Sequence, residues 1–332
     1  MGEYVYNSRI DMKTSNSVIP YDSSPGRERF LAEVLDGLQK PQKELPSKYF
    51  YDERGAGLFE RICCLEEYYI PVTEASIMQT NIAAIVELIG SKVLLIEYGC
   101  GDCKKIRFLL DYLYEPVAFV PIDISREQLV RATQELTSDY PILEVLPVCA
   151  DYTSRLKVPS PKRSFSRKVV YFPGSTIGNF DPLSANHFLK QIANVLGIGG
   201  ALLIGVDLKK DVTLLNCAYN DSQGVTAAFN LNLLKRINRE LDCDFQIDLF
   251  QHYAFYNPKE SRIEMHLVSR KEQTVQLGNT AIYFAKDESI WTESSYKYNL
   301  NEFQEIAAAA GLRVDRVWTD EREWFSVQYL VT

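Results

Sequence analysis

The feature that most restricts the fold of this chain is the run KVLLIEYGCGD, residues 92–102: a nearly continuous apolar stretch, broken by Glu97, that ends in glycines and leads into the helical pattern IRFLLDYL. A run without polar alternation is what a strand needs when both faces of its sheet are covered, and that happens when helical crossovers join parallel strands. The unit recurs. AFVPIDIS precedes the helical REQLVRATQELTSDY, ILEVLPVCADY follows, KVVYFPGSTIGNF precedes a helix around ANHFLKQIANVLG, and ALLIGVDL closes the series. Five strands in this rhythm predict an α/β protein with a parallel sheet covered on both faces. The final LRVDRVWTD and WFSVQYLVT, preceded by a helix around NEFQEIAAAAG, predict two late strands that add a hairpin to the sheet edge.

Outside this rhythm the pattern changes. Residues 1–26 are polar and predict a loose arm, and RERFLAEVLDGLQK predicts an amphipathic helix before Pro41. After Asp207 the alternation lapses, although GVTAAFNLNLLKRINREL is helical and SRIEMHLVSR is strand-like. The lapse predicts a subdomain inserted between the fifth strand and the late hairpin.

The net charge of −8 disfavours a broad phosphate-binding surface, which needs clustered Lys and Arg. No apolar run is long enough for a membrane span, so the expected setting is a cytoplasmic, monomeric protein acting on small molecules, without nucleic-acid or membrane partners. Seven scattered cysteines suit free thiols, and with three histidines and one C-x-x-C pair, Cys100 to Cys103, no metal site is expected.

Gly99 and Gly101 stand at the carboxyl end of the first strand, where open α/β sheets bind ligands and where the absence of a Cβ allows close approach. Asp123 ends the second strand and can accept hydrogen bonds from ribose hydroxyls, a pattern that dinucleotide enzymes also use. Lys104 occupies the place of the third glycine of a pyrophosphate cradle, which disfavours NAD. Asp151 and Tyr152 offer an acceptor and an aromatic surface to an adenine. Lys105 can pair with a carboxylate such as that of S-adenosylmethionine.

The ordered motifs KYFYDERGAGLFERI, LEEYY, IEYGCGD, VPIDIS, FPGSTIGNF, DLKKD, AYNDSQGVTAAFN, RIEMHLVS and TESSYKY resemble the histidine Nα-methyltransferases of ergothioneine biosynthesis over about residues 27–332. The resemblance implies a Rossmann-like class I methyltransferase fold, with a cofactor-binding domain from 73–207 and 298–332 and a smaller α+β substrate-binding domain assembled from 27–72 and the insertion 208–297. It also implies S-adenosylmethionine-dependent methylation of the histidine α-amine to the trimethylated betaine, hercynine. By motif position, Tyr51, Gly99, Lys105, Asp123, Asp151 and Tyr152 would hold S-adenosylmethionine. Tyr68, Asn179 and Tyr219 would hold the amino and carboxylate groups of the substrate, and Glu293, Ser294 and Ser295 would contact the imidazole with Met265 near the ring. The residue chemistry agrees: Asn179 carries both a donor and an acceptor, and Glu293 and Ser295, two apart on an extended segment, share a face. Ser294 and Leu231 depart from the aliphatic and basic residues of the family pattern. Tryptophan or another aromatic amino acid as substrate, a catalytically inactive cofactor-binding regulator, and an NAD-dependent oxidoreductase are the competing readings.

Overall fold

The computed structural model describes residues 20–23, 26–154 and 156–332. The main sheet runs, in spatial order, Tyr21–Ser23, Val148–Ala150, Ala118–Asp123, Leu94–Tyr98, Lys168–Phe172, Ala201–Asp207, Phe325–Val331 and Arg313–Thr319, with Glu144–Val145 pairing off the path to Ala118–Asp123. The strands up to Ala201–Asp207 pair in parallel, and the last two form the antiparallel edge hairpin that the sequence predicts. Every residue of Leu94–Tyr98, Ala118–Asp123 and Ala201–Asp207 is buried, which accounts for their largely apolar character, with Glu97, Asp123 and Asp207 as the buried acidic residues among them. This is a Rossmann-like α/β architecture.

Three details depart from the sequence reading. Most of the expected loose arm lies outside the described residues, but Tyr21–Ser23 extends the sheet by pairing with Val148–Ala150. The expected third strand is broken at Leu146 and Pro147 into two short pieces, because proline has no N–H to give a ladder. A long helix, Ile70–Ile89, was not legible in the sequence; it packs on Ala201–Asp207 and on the edge hairpin.

A second sheet runs Lys43–Glu44, Ser289–Tyr296, Arg262–Ser269 and Phe250–Asn257. Lys43–Glu44 pairs in parallel with Ile290–Trp291, so residues far apart in sequence share this sheet. The helix Val225–Leu241 packs against it, its first turn held by Asp221, whose carboxylate accepts from the N–H groups of Val225 and Thr226 at 2.8 and 2.7 Å.

Strand order reverses beside Leu94–Tyr98. The chain leaves that strand towards Ala118–Asp123 and later returns on its other side as Lys168–Phe172. Loops diverge at such a point and leave a crevice at the carboxyl ends of the strands. The two loops there are Gly99–Cys103 and Pro173–Ser175.

Candidate active site

Gly99 and Gly101 both have positive φ, at 72° and 54°, and a Cβ on Gly99 would lie 3.6 Å from the Tyr152 ring. The loop is held from the next strand, since Asp123 accepts from the Gly101 and Ser125 N–H groups, each at 2.9 Å. Burial pushes the Asp123 carboxyl up, opposed by those backbone donors. A carboxylate with two bonds made retains lone pairs for two hydroxyls.

Lys105 donates to Glu74 Oε2 at 2.8 Å, and Glu74 Oε1 accepts the Gly174 N–H at 2.8 Å. Burial alone would lower the Lys105 ammonium, yet Glu74 holds it above its ordinary range. Glu74 therefore ties the helix after the first strand to the loop after the fourth. That link depends on Gly205, where a Cβ would fall 2.5 Å from Glu74 Oε1.

Asp151 is not the open acceptor expected for an adenine. Its Oδ1 accepts from the Thr153 N–H and hydroxyl, and its Oδ2 from Lys48 at 2.9 Å and Arg29 at 3.3 Å. Its physical role here is to fasten the N-terminal segment over this end of the sheet. Tyr152 packs edge-on against Tyr98 and Phe172.

Beside the crevice lies a cavity lined from several elements. The turn Ser47–Phe50 leads into Tyr51; the helix Glu53–Ile62 supplies Phe59 and Ile62; and Tyr68 follows it. Gly174 to Thr176 and Asn179 come from the FPGSTIGNF loop, and Tyr219 from the helix Val212–Tyr219. Thr226 and Phe229 come from Val225–Leu241, and Met265, Glu293 and Ser295 from the second sheet. Gly178 brings the loop against that sheet, because its Cβ would sit 2.7 Å from the Tyr296 carbonyl oxygen and only glycine permits the approach.

Ser294 does not line the cavity. Successive side chains of a strand point to opposite faces, so Glu293 and Ser295 face the cavity and the residue between them does not. Tyr219 does line it, but its hydroxyl donates to Ser295 Oγ at 2.8 Å rather than standing open for a carboxylate.

Beneath Ser295 lies a buried ionic cluster that sequence reasoning missed. The Lys297 ammonium, with no exposed surface, is 2.7 Å from Asp207 Oδ2 and donates to Ser295 Oγ at 2.8 Å and Tyr219 Oη at 3.2 Å. Lys210 donates to Asp207 Oδ1 at 2.6 Å, and Tyr69 donates to the same carboxylate. Burial lowers the Lys210 ammonium to about 8 despite that partner, whereas Asp207 and Tyr219 keep Lys297 above its ordinary range against its own burial.

The Glu293 carboxylate has no hydrogen-bond partner among the described residues. Burial pushes it up to about 7, partly offset by Lys297. Between pH ~4.5 and ~7 the folded chain thus holds a proton that the unfolded chain releases, so this group costs stability as pH rises. Glu293→Gln is expected to stabilise the ligand-free protein by roughly 1 to 3 kcal/mol at pH ~8 and to change little at pH ~5. Denaturation midpoints at the two pH values check this, and an equal effect at both would contradict it.

The Gly99 loop, the Lys105 cation and the Asp123 carboxylate fit S-adenosylmethionine: a close approach without a Cβ, a partner for its carboxylate and acceptors for its ribose. A family model described as "Histidine-specific methyltransferase, SAM-dependent" matches residues 30–332. The chain belongs to this family.

As a SAM-dependent methyltransferase of the histidine-specific family, it is 39% identical over 310 residues to a histidine N-alpha-methyltransferase of Mycolicibacterium smegmatis, covering 92% of this chain and 95% of that protein. It is 40% identical over 295 residues to one of Mycobacterium tuberculosis, covering 87% and 90%. An L-tryptophan methyltransferase of Psilocybe serbica is 29% identical over 325 residues, covering 88% and 89%. No helix is long and apolar enough to cross a membrane, and no group of three or more His, Cys, Asp or Glu could hold a metal ion among the described residues.

Proposed function

We propose that this chain transfers methyl groups from S-adenosylmethionine to the α-amine of L-histidine, giving the trimethylated betaine hercynine for ergothioneine biosynthesis. The observation that carries the reading is the pair Glu293 and Ser295. An unpartnered carboxylate and a hydroxyl line one cavity from the same strand face, and a neutral imidazole presents one N–H and one acceptor nitrogen to match them.

In this reading 73–207 with 298–332 bind the methyl donor, 27–72 with 208–297 bind the amino acid, and the enzyme is a cytoplasmic monomer. Tyr51, Gly99, Lys105, Asp123 and Tyr152 would hold S-adenosylmethionine, with Asp151 bracing the N-terminal segment beside them. The cofactor supplies an electrophilic methyl group. Tyr68 and Asn179 fix the amine and carboxylate of the substrate, Asn179 through an amide that both donates and accepts. The amine must be neutral when its lone pair is aimed at the methyl, and loss of its proton to water suffices. Phe59, Phe229 and Met265 exclude water around the ring. Orientation of this kind is worth roughly 7 to 11 kcal/mol in well-aligned systems, so positioning can supply much of the acceleration without a strong base.

Incubating the protein with S-adenosylmethionine and the twenty amino acids, with products read by mass spectrometry, tests the reading. Histidine is expected to gain three methyl groups. Methylation of tryptophan in preference to histidine would overturn it.

A further inference from the structure

We propose that Lys297 selects the substrate ring, by locking Ser295 as a hydrogen-bond donor towards the cavity. The inference rests on the histidine reading above and adds a residue that touches no substrate.

An ammonium has three N–H donors and no acceptor. All three of Lys297 are spent inside the protein, on Asp207 Oδ2, Ser295 Oγ and Tyr219 Oη. Ser295 Oγ accepts from Lys297 and from the Tyr219 hydroxyl, both at 2.8 Å. A serine hydroxyl has two lone pairs and one proton. With both lone pairs occupied, its proton can go only to a group in the cavity. Lys297 cannot reverse its role, because it has no acceptor to offer, and Asp207 holds it charged and in place. At pH ~8, where the Glu293 carboxyl is ionised, the substrate ring therefore meets a fixed donor in Ser295 and an open acceptor in Glu293.

That polarity discriminates among rings. Neutral imidazole satisfies both groups. An indole or pyrrole has an N–H for Glu293 but leaves the Ser295 donor facing carbon. A ring turned to present its N–H to Ser295 sets two donors against each other. An unmatched polar group in a closed site is where steep selectivity arises. Lys297 is a positioning residue: its effect must pass through Ser295.

The test measures binding by calorimetry to protein loaded with S-adenosylhomocysteine, so that it does not depend on turnover. Lys297→Met, which keeps length but has no donor, is expected to lower the ratio of histidine to tryptophan affinity about tenfold. In a Ser295→Ala background the same change is expected to move the ratio less than about twofold. An unchanged ratio in Lys297→Met, or an equal change with Ser295 absent, overturns the role of Lys297 while leaving the substrate reading standing. A native protein without preference for histidine overturns the substrate reading itself.

Should the methionine variant fail to fold, the native protein still decides the fixed polarity. The two pyrrole analogues of histidine each keep one ring N–H and carry a CH in place of the acceptor nitrogen. Both are expected to bind at least about tenfold more weakly than histidine. Binding of either as tightly as histidine would mean that Ser295 turns to accept or that the ring needs no bond from it, and the proposal fails.

Discussion

Truncating Glu293 and Ser295 together to alanine is expected to lower kcat/KM for histidine by about two to four orders of magnitude, while the value for tryptophan falls far less or rises. The magnitude follows from burial. A site that hydrogen-bonds its substrate loses most when those bonds vanish, because the polar ring then enters a closed cavity with nothing to replace water. Phe59, Phe229 and Met265 remain to pack against any aromatic ring, so apolar affinity survives. Steady-state kinetics on both amino acids checks the result. A double variant that still prefers histidine would show that the ring is read by other residues.

Asp207→Ala has the largest expected effect on stability, a loss of roughly 3 to 5 kcal/mol in urea denaturation. Asp207 has no exposed surface and neutralises two buried ammonium groups. The two respond differently to its loss. Lys210, already lowered to about 8, can shed its proton at modest cost, whereas Lys297 has no exposed surface and no other carboxylate within salt-bridge distance among the described residues. Adding Lys297→Met to Asp207→Ala is therefore expected to recover much of the loss, since an empty pair is cheaper to bury than an uncompensated charge. A single variant that loses less than about 1 kcal/mol would mean that water reaches the cluster.

The two parts of the site differ in how far they could be read from sequence. The crevice at the strand ends follows a local grammar, in which a buried strand, a glycine turn and an acidic residue closing the next strand lie within a short stretch, so the meeting of Gly99 and Asp123 there was legible. Asp151 was legible as a strand-end carboxylate, but Lys48 and Arg29, which occupy it, come from a segment more than a hundred residues earlier. The same-face relation of Glu293 and Ser295 followed from strand periodicity, and that periodicity also removes Ser294 from the cavity. Glu74 and Lys297 were invisible for a different reason. A lone charge in an apolar pattern is read as solvent-facing unless its partner is known, and those partners, Lys105 with Gly174 and Asp207, are brought near only by the fold.

The parallel pairing of Lys43–Glu44 with Ile290–Trp291 also bears on how the molecule assembles. Contacts between segments this far apart cannot form until nearly the whole chain has left the ribosome, and closing so large a loop is entropically slow. The strands around Leu94–Tyr98 can pair earlier, because their partners are close in sequence. Refolding is accordingly expected to be biphasic, with secondary structure of the parallel sheet appearing first and the cavity lined by Glu293 and Ser295, along with histidine affinity, only in the slow phase.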